Sequence, residues 1–256
     1  MTLWVRYTHN DNEGFGALAD TTIAVHAGDL FGAAKPTGAT LPLDVVRLLP
    51  PVRPAKFIGL WNNFHSIAAA QGWAIPDYPL HFLKAPSAIV GPEAEIRAPS
   101  GYDGGVMFEG ELGVVIGTRC KDADAAAAEA SIFGYTCVND VTAAGLFGDN
   151  PKFDQWARAK GCDTFGPVGP GIATALDWRR LTVRTLLNGS ERQNYPVADM
   201  IFPPPAIVSL VSREMTLHPG DLITCGTASG ILPMRPGAVV EIVIDGIGTL
   251  RNTYAG

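Results

Sequence analysis

The chain has 256 residues, enough for one large domain or a main domain with a short appendage. Hydrophobic residues make up 47% and charged residues 17%, which supplies a core and excludes intrinsic disorder. A formal net charge of −6 argues against non-specific nucleic-acid binding, which needs a basic face. The 29 glycines and 20 prolines interrupt long helices and predict many short elements joined by turns.

The first ten residues carry Arg6 and polar side chains and no apolar run of signal-peptide length. Residues 3–7 and 22–26 are strand-like, punctuated by Gly14, Gly16, Gly28 and Gly32. The run Leu49-Pro50-Pro51-Val52-Arg53-Pro54 excludes a helix and reads as a stiff linker, so a small N-terminal domain is expected over 1–50 and a main domain over 51–256. Residues 56–60 follow as a strand and 65–71 as a short helix. Apolar residues over 111–117 predict a buried strand, the Ala-rich 123–131 a helix, and 133–138 another strand. Residues 181–188 alternate apolar and polar and end in Asn188-Gly189, a hairpin signal. Residues 204–212 read as a helix after a proline run, and 222–226 and 239–244 as strands. Asp245-Gly246 marks a second hairpin before 248–252. The sum is a mainly β chain with a few helices, an α+β fold closed or double-sheeted to protect its edges. Cys120, Cys137, Cys162 and Cys225 form no CxxC pair and are expected to be buried, reduced thiols. No stretch approaches the length of a membrane span, so neither membrane nor nucleic acid is expected as a partner, and the cytoplasm is the default location.

The most informative residues are Phe108-Glu109-Gly110-Glu111-Leu112. On a strand, residues two apart point to one side, so Glu109 and Glu111 set two carboxylates together. Such a pair repels, and one pKa rises unless a cation intervenes. Asp140 follows the strand over 133–138, whose end places a third carboxylate within reach. Oxygen-only ligation suits Mg²⁺, Mn²⁺ or Ca²⁺. A solvated strand face is the ordinary explanation of such a pair, but the apolar flanks Val106, Met107 and Phe108 argue for burial. Two further groups are weaker: Gln155 to Asp163, a basic pair near an Asp, and Gly226-Thr227-Ala228-Ser229-Gly230, whose small residues would let backbone N–H groups approach an anion.

Together these segments resemble the fumarylacetoacetate hydrolase family. FLKAPSAIVG at 82–91 is similar to that family's FLKPPSAIVG, and the segment over 108–117 to its xExELxVVIG strand. GYTCVNDVT at 134–142 resembles GYTxxNDVS, and RAKGCDTFGP at 158–167 resembles RxKSFDTFxP. PGDLITCGT at 219–227 and the segment over 241–252 resemble PGDVIxTGTPxG and VEVEIEGIGTLxN. The resemblance runs in order from about residue 50 to 256. It implies a mixed β-roll of antiparallel sheets, a homodimer, and a cation on Glu109, Glu111 and Asp140. Lys160 would pair with the 2-oxo acid part of a small 2-oxo or diketo acid substrate, and Thr227 would donate to its carboxylate. GLWNNFH at 59–65 aligns with GxNYxxH and makes His65 the candidate base.

Two positions depart from the family pattern. Ala68 stands where hydrolytic members carry the Glu that partners the His, and Ala144 where an Arg often grips the substrate carboxylate; Arg158 is the candidate substitute. The leading expectation is Mg²⁺- or Mn²⁺-dependent hydrolysis of a C–C bond in an acylpyruvate (fumarylpyruvate-like) substrate through a stabilised enolate, of the kind found in aromatic-compound catabolism. Decarboxylation, isomerisation or tautomerisation of a 2-oxo dicarboxylate is the alternative, since those reactions need no nucleophilic water. A non-catalytic ligand-binding relative is the third. Trp61, Phe64, Trp73 and Tyr78 are candidates for an aromatic-tolerant pocket, with core packing the competing reading.

Overall fold

Two sheets organise most of the chain in the computed structural model, which describes residues 1–256. The large sheet runs, in spatial order, through strands Lys35–Pro42, Thr22–Ala27, Asn12–Ala19, Thr2–His9, Gly166–Thr174, Ile132–Asn139, Gly110–Ile116, Leu222–Thr224, Phe57–Trp61 and Leu80–Lys84. Pairing along that path is antiparallel except between Leu222–Thr224 and Phe57–Trp61. A smaller sheet is built from Ser190–Pro196, Thr182–Leu187, Val239–Ile244, Gly248–Tyr254 and Glu95–Ile96. With four short α-helices the fold is mainly β and α+β, as the sequence predicts.

The elements follow from their residues. In Val239–Ile244 every second side chain is buried, the period of a strand with one face on a core. The hairpin at Asn188-Gly189 is a two-residue loop, Leu187 pairing with Ser190, and both loop residues take positive φ (51° and 75°) as a type I′ turn requires. Helix α1 (His65–Gln71) is stopped by Gly72 at φ 68°, and α2 (Ala125–Ser131) is capped by Asp124 accepting from the Ala127 N–H. Helix α3 spans Trp156–Lys160. Helix α4 (Pro204–Glu214) starts on prolines whose missing N–H groups cost nothing there, and it buries Ile207, Val208 and Val211. The central strand Gly166–Thr174 was not predicted. Its GPVGPGIAT sequence carries turn chemistry, yet neighbours on both sides hold it extended.

The N-terminal residues are stitched to the large sheet. Strand Thr2–His9 pairs with Gly166–Thr174, and Arg6 Nη1 donates to Pro50 O at 2.8 Å. Val52 of the linker is 1% exposed and packs with Phe57, Val115 and Leu222.

The two sheets touch at Gly110. A Cβ there would lie 2.0 Å from Thr185 Oγ1 and 2.9 Å from Ile242 Cδ1, both on the small sheet. Gly110→Ala should therefore lower stability by about 1–3 kcal/mol, the usual range for overpacking, read as a shift of the denaturant midpoint. Thr185→Ala in the same chain should recover part of the loss, because the atom struck is that hydroxyl. An unchanged midpoint for Gly110→Ala would show that the sheets can part there.

Candidate active site

Strand register assembles the acids. Glu111 lies on strand Gly110–Ile116 and Glu109 one residue before it. Gly110 pairs with Asn139, the last residue of Ile132–Asn139, so the residue after that strand, Asp140, comes to lie beside Glu109. The junction is tied twice: the Asp140 N–H donates to Glu109 O at 2.9 Å, and the Glu109 N–H donates to Asn139 Oδ1 at 3.0 Å. One oxygen from each of Glu109, Glu111 and Asp140 lies within 4.8 Å of the others.

Two lysines balance this charge. Lys160, at the end of α3, donates to Asp140 Oδ2 at 2.6 Å and to Glu109 Oε1 at 2.9 Å. Lys84 donates to the other Asp140 oxygen at 2.5 Å. Burial alone would raise the Asp140 carboxyl, but Lys160 and Lys84 outweigh it and hold its pKa below the ordinary carboxylate value. Burial works against the Lys160 ammonium too, yet Asp140, Glu109 and Glu111 raise its pKa above normal. For Lys84 burial wins, and its pKa falls. Glu111 has no lysine in contact. Burial, then Asp140 and Glu109, push its carboxyl well above the usual range.

Glu111 Oε2 accepts from the Thr224 hydroxyl and from the Gly226 N–H at 2.7 Å. The glycine-rich turn after strand Leu222–Thr224 thus does approach an anion, and that anion is the protein's own Glu111. Glu111 Oε1 is buried with no hydrogen-bond partner. An orphaned carboxylate oxygen facing two more carboxylates fits a hard divalent cation with oxygen ligands. The Thr227 hydroxyl donates to Gly110 O at 3.1 Å and accepts from Gln193 Nε2 at 2.8 Å. Gln193 Oε1 accepts from the Gly110 N–H at 3.0 Å, and the Tyr195 hydroxyl donates to Gly110 O at 2.5 Å.

Part of this cluster opens onto a cavity of about 200 Å³, with Glu111 and Asp140 fully buried behind it. Glu109, Lys160, Thr142 and Thr227 line it below, and Trp61, Trp73, Phe147 and Trp156 line its walls. Of the residues singled out in the sequence, Glu109, Glu111, Asp140, Lys160 and Thr227 are brought together here. His65 is exposed at the first turn of α1 and does not line the cavity. Arg158 is turned outward, 2.6 Å from Asp149. Ala144 lines the cavity and Ala68 is fully buried. Trp61 and Trp73 are wall residues, Phe64 is core, and Tyr78 is 61% exposed. The sequence reading missed Lys84, Thr142, Thr224, Gln193 and Tyr195. Only Lys84 left a signal, a lysine closing a largely apolar strand. The four cysteines are free, three of them buried. No helix is long and apolar enough to cross a membrane.

Residues 56–255 match the family model described as fumarylacetoacetate (FAA) hydrolase C-terminal, and residues 3–51 match an Rv2993c-like N-terminal model. Protein Rv2993c of Mycobacterium tuberculosis is 43% identical over 252 residues, 97% of this chain and 93% of that protein. The crystal structure of 2-hydroxyhepta-2,4-diene-1,7-dioate isomerase from Mycobacterium marinum matches with a TM-score of 0.91 and 40% identity, covering 100% of this chain and 98% of that one. Maleylpyruvate hydrolase from Sphingobium sp. SYK-6, solved with manganese(II) and pyruvate, matches with a TM-score of 0.81 and 28% identity, covering 100% and 99%.

Two outcomes follow from the charge balance. Asp140→Asn strands the buried Lys84 ammonium and leaves Lys160 with Glu109 alone, and should cost about 3–5 kcal/mol at neutral pH, the range for breaking a buried ion pair. Because the Asp140 pKa is depressed, its contribution is present above the ordinary value of 3.8 and lost as pH falls through the lower folded value. The mutational loss, read by chemical denaturation, should therefore shrink in acid; a pH-independent loss contradicts the ion-pair account. The raised Glu111 pKa means that cation uptake releases a proton. Mg²⁺ or Mn²⁺ affinity should rise with pH above the ordinary carboxyl range, and calorimetry in buffers of different ionisation enthalpy should show the proton, absent in Glu111→Gln.

Proposed function

This chain belongs to the fumarylacetoacetate hydrolase family, and from that premise we propose that it is a divalent-cation-dependent enzyme hydrolysing a C–C bond of an acylpyruvate, a 2,4-dioxo acid. One observation carries the reading: three carboxylates and the Lys160 ammonium cluster at a cavity with aromatic walls, which Glu109 and Lys160 line. A cation, Mg²⁺ or Mn²⁺ by donor type, held by Glu109, Glu111 and Asp140 would supply Lewis-acid polarisation of the substrate oxygens. Lys160 puts a fixed positive charge where the 2-oxo acid end of the substrate would lie. The Thr227 N–H donates to no protein group and so suits the substrate carboxylate, while Gln193 and Gly110 hold the Thr227 side chain in place. The aromatic walls make the other end apolar. Hydrolysis adds water across the bond between C3 and C4, giving a carboxylic acid and pyruvate, with the proton going to C3. The manganese- and pyruvate-bound state of the maleylpyruvate hydrolase supports such a product on such a site. A homodimer is part of the same proposal.

A second reading is isomerisation or decarboxylation of a 2-oxo acid, which moves protons or CO₂ without an attacking water. It is favoured by the exposed His65, by Ala68 in place of a carboxylate, and by the similarity to the M. marinum isomerase.

Incubation with acylpyruvates and oxaloacetate in Mg²⁺ or Mn²⁺, with products followed by NMR, separates the two. Pyruvate plus a free acid is the expected result; keto–enol exchange or decarboxylation far outrunning hydrolysis replaces the first reading with the second. Lys160→Ala should lower kcat/KM by at least about 100-fold, the scale for a lost charge-stabilising donor, while still binding the cation. Activity within a few-fold of the parent would remove Lys160 from the chemistry. His65→Ala should slow hydrolysis by at least about tenfold if α1 supplies the base, and leave it unchanged if the cavity floor suffices.

A further inference from the structure

The cavity is charged at one end only. Among the side chains that line it, Glu109 and Lys160 alone carry charge, and both sit on the floor. The Lys160 charge is already engaged by Glu109 at 2.9 Å and Asp140 at 2.6 Å. No other cation reaches the walls. Lys84 is sealed behind Asp140 with 2% exposure, and Arg158 pairs with Asp149 in a separate hollow beside Tyr102 and Leu146. His81 pairs with Glu214 at 3.2 Å in a groove that shares Trp61 and Trp156 with the cavity and lies outside it. A carboxylate carried into the upper cavity would lose its water and gain no counter-charge.

The walls offer the opposite environment. Trp61 and Trp73 lie with ring centroids 4.7 Å apart, and Phe147 meets Trp156 edge-on at 4.7 Å. Met107, Ile231, Leu60, Ile67 and Ala144 complete the apolar lining. Trp61 and Trp73 remain 38% and 37% exposed, so ring surface is left uncovered for a ligand. Flat aromatic faces beside a flexible thioether suit a planar, uncharged group.

Resting on the reading of the site as one for 2-oxo acids, we propose that the substrate is a monocarboxylate whose distal group is apolar and planar, an aroyl- or bulky acylpyruvate, and that dicarboxylates are discriminated against. Trp73 is the specificity-determining residue. It follows the Gly72 cap of α1, where its N–H donates to Ala68 O at 2.9 Å, so its indole is carried by α1 and not by the sheet.

Two measurements test this independently of catalysis and with it. In the first, tryptophan-fluorescence titration of the Mg²⁺-loaded protein compares phenylpyruvate with 2-oxoglutarate, which share a 2-oxo acid head and differ in the tail. Phenylpyruvate should bind at least about tenfold more tightly, the scale of hydrophobic-pocket discrimination. Equal or tighter binding of 2-oxoglutarate overturns the proposal whatever the protein hydrolyses. In the second, kcat/KM for benzoylpyruvate should exceed that for fumarylpyruvate by at least about tenfold; the reverse order overturns the proposal. Tight phenylpyruvate binding with no acylpyruvate turned over keeps the proposed pocket and removes only the hydrolytic reading. Trp73→Ala should weaken phenylpyruvate at least about tenfold and Trp73→Phe should restore most of it, with circular dichroism confirming the fold. Unchanged phenylpyruvate affinity in Trp73→Ala removes Trp73 from the specificity role.

Discussion

Gly110 lets two sheets touch where a side chain would keep them apart. Its Cα faces Thr185 and Ile242 of the small sheet, so this peptide is pressed against the second sheet. Its N–H and C=O are then taken up by Gln193, Tyr195 and Thr227. A backbone unit held by three side chains has little freedom, and the carboxylates of Glu109 and Glu111 inherit its position. The Glu-Gly-Glu spacing is therefore a packing requirement as much as a ligand pattern: the middle residue gives its side to the core so that its neighbours can turn toward the cavity.

Electrostatics explains the rest of the floor. Fully ionised, three carboxylates against two ammonium groups would leave one net negative charge in a buried site, and the compensation is uneven. Asp140 holds both lysines, Glu109 shares one, and Glu111 has none, relying on one hydroxyl and one backbone N–H. Buried carboxylates without a partner favour the neutral form. Glu111 is thus the acid whose ionisation depends most on a cation beside it, and Asp140 the one already fixed as an anion. Binding of a cation there and ionisation of Glu111 would be one coupled event.

Much of this was legible in the sequence because it is local. The acid pair shows at a spacing of two on an apolar strand, and Asp140 at the end of its neighbour. Helix α1 begins and ends at the predicted residues. What stayed hidden is set by distant pairing. Gln193 and Tyr195 reach Gly110 across 83 and 85 residues, and nothing near them in sequence announces it. Arg158 shows the limit from the other side. Residues two apart on a helix point in nearly opposite directions, so α3 can send Lys160 to the carboxylates only by turning Arg158 outward. Reading both into one site holds for a strand and fails for a helix.

The same helical geometry bears on how protons are handled. Position 68 shares a face of α1 with His65, but Ala68 is fully buried and its small volume is what lets the helix sit on the core. A carboxylate there would have to enter that packing, so the absence of a His–Glu pair is built into the seating of α1. Within the cavity, Thr142, Thr227 and Asn62 do not titrate near neutrality. In the cation-free site the carboxylates around Lys160, acting against burial, favour its ammonium form. An ammonium fixed beside a reacting 2-oxo acid can donate a proton and stabilise developing negative charge, and it cannot accept one. In the proposed reaction Lys160 would therefore serve on the acid side. The proposed reaction would then draw its base from the carboxylate cluster, or from His65 if α1 were to carry it inward, and only the second would move the Trp73 wall.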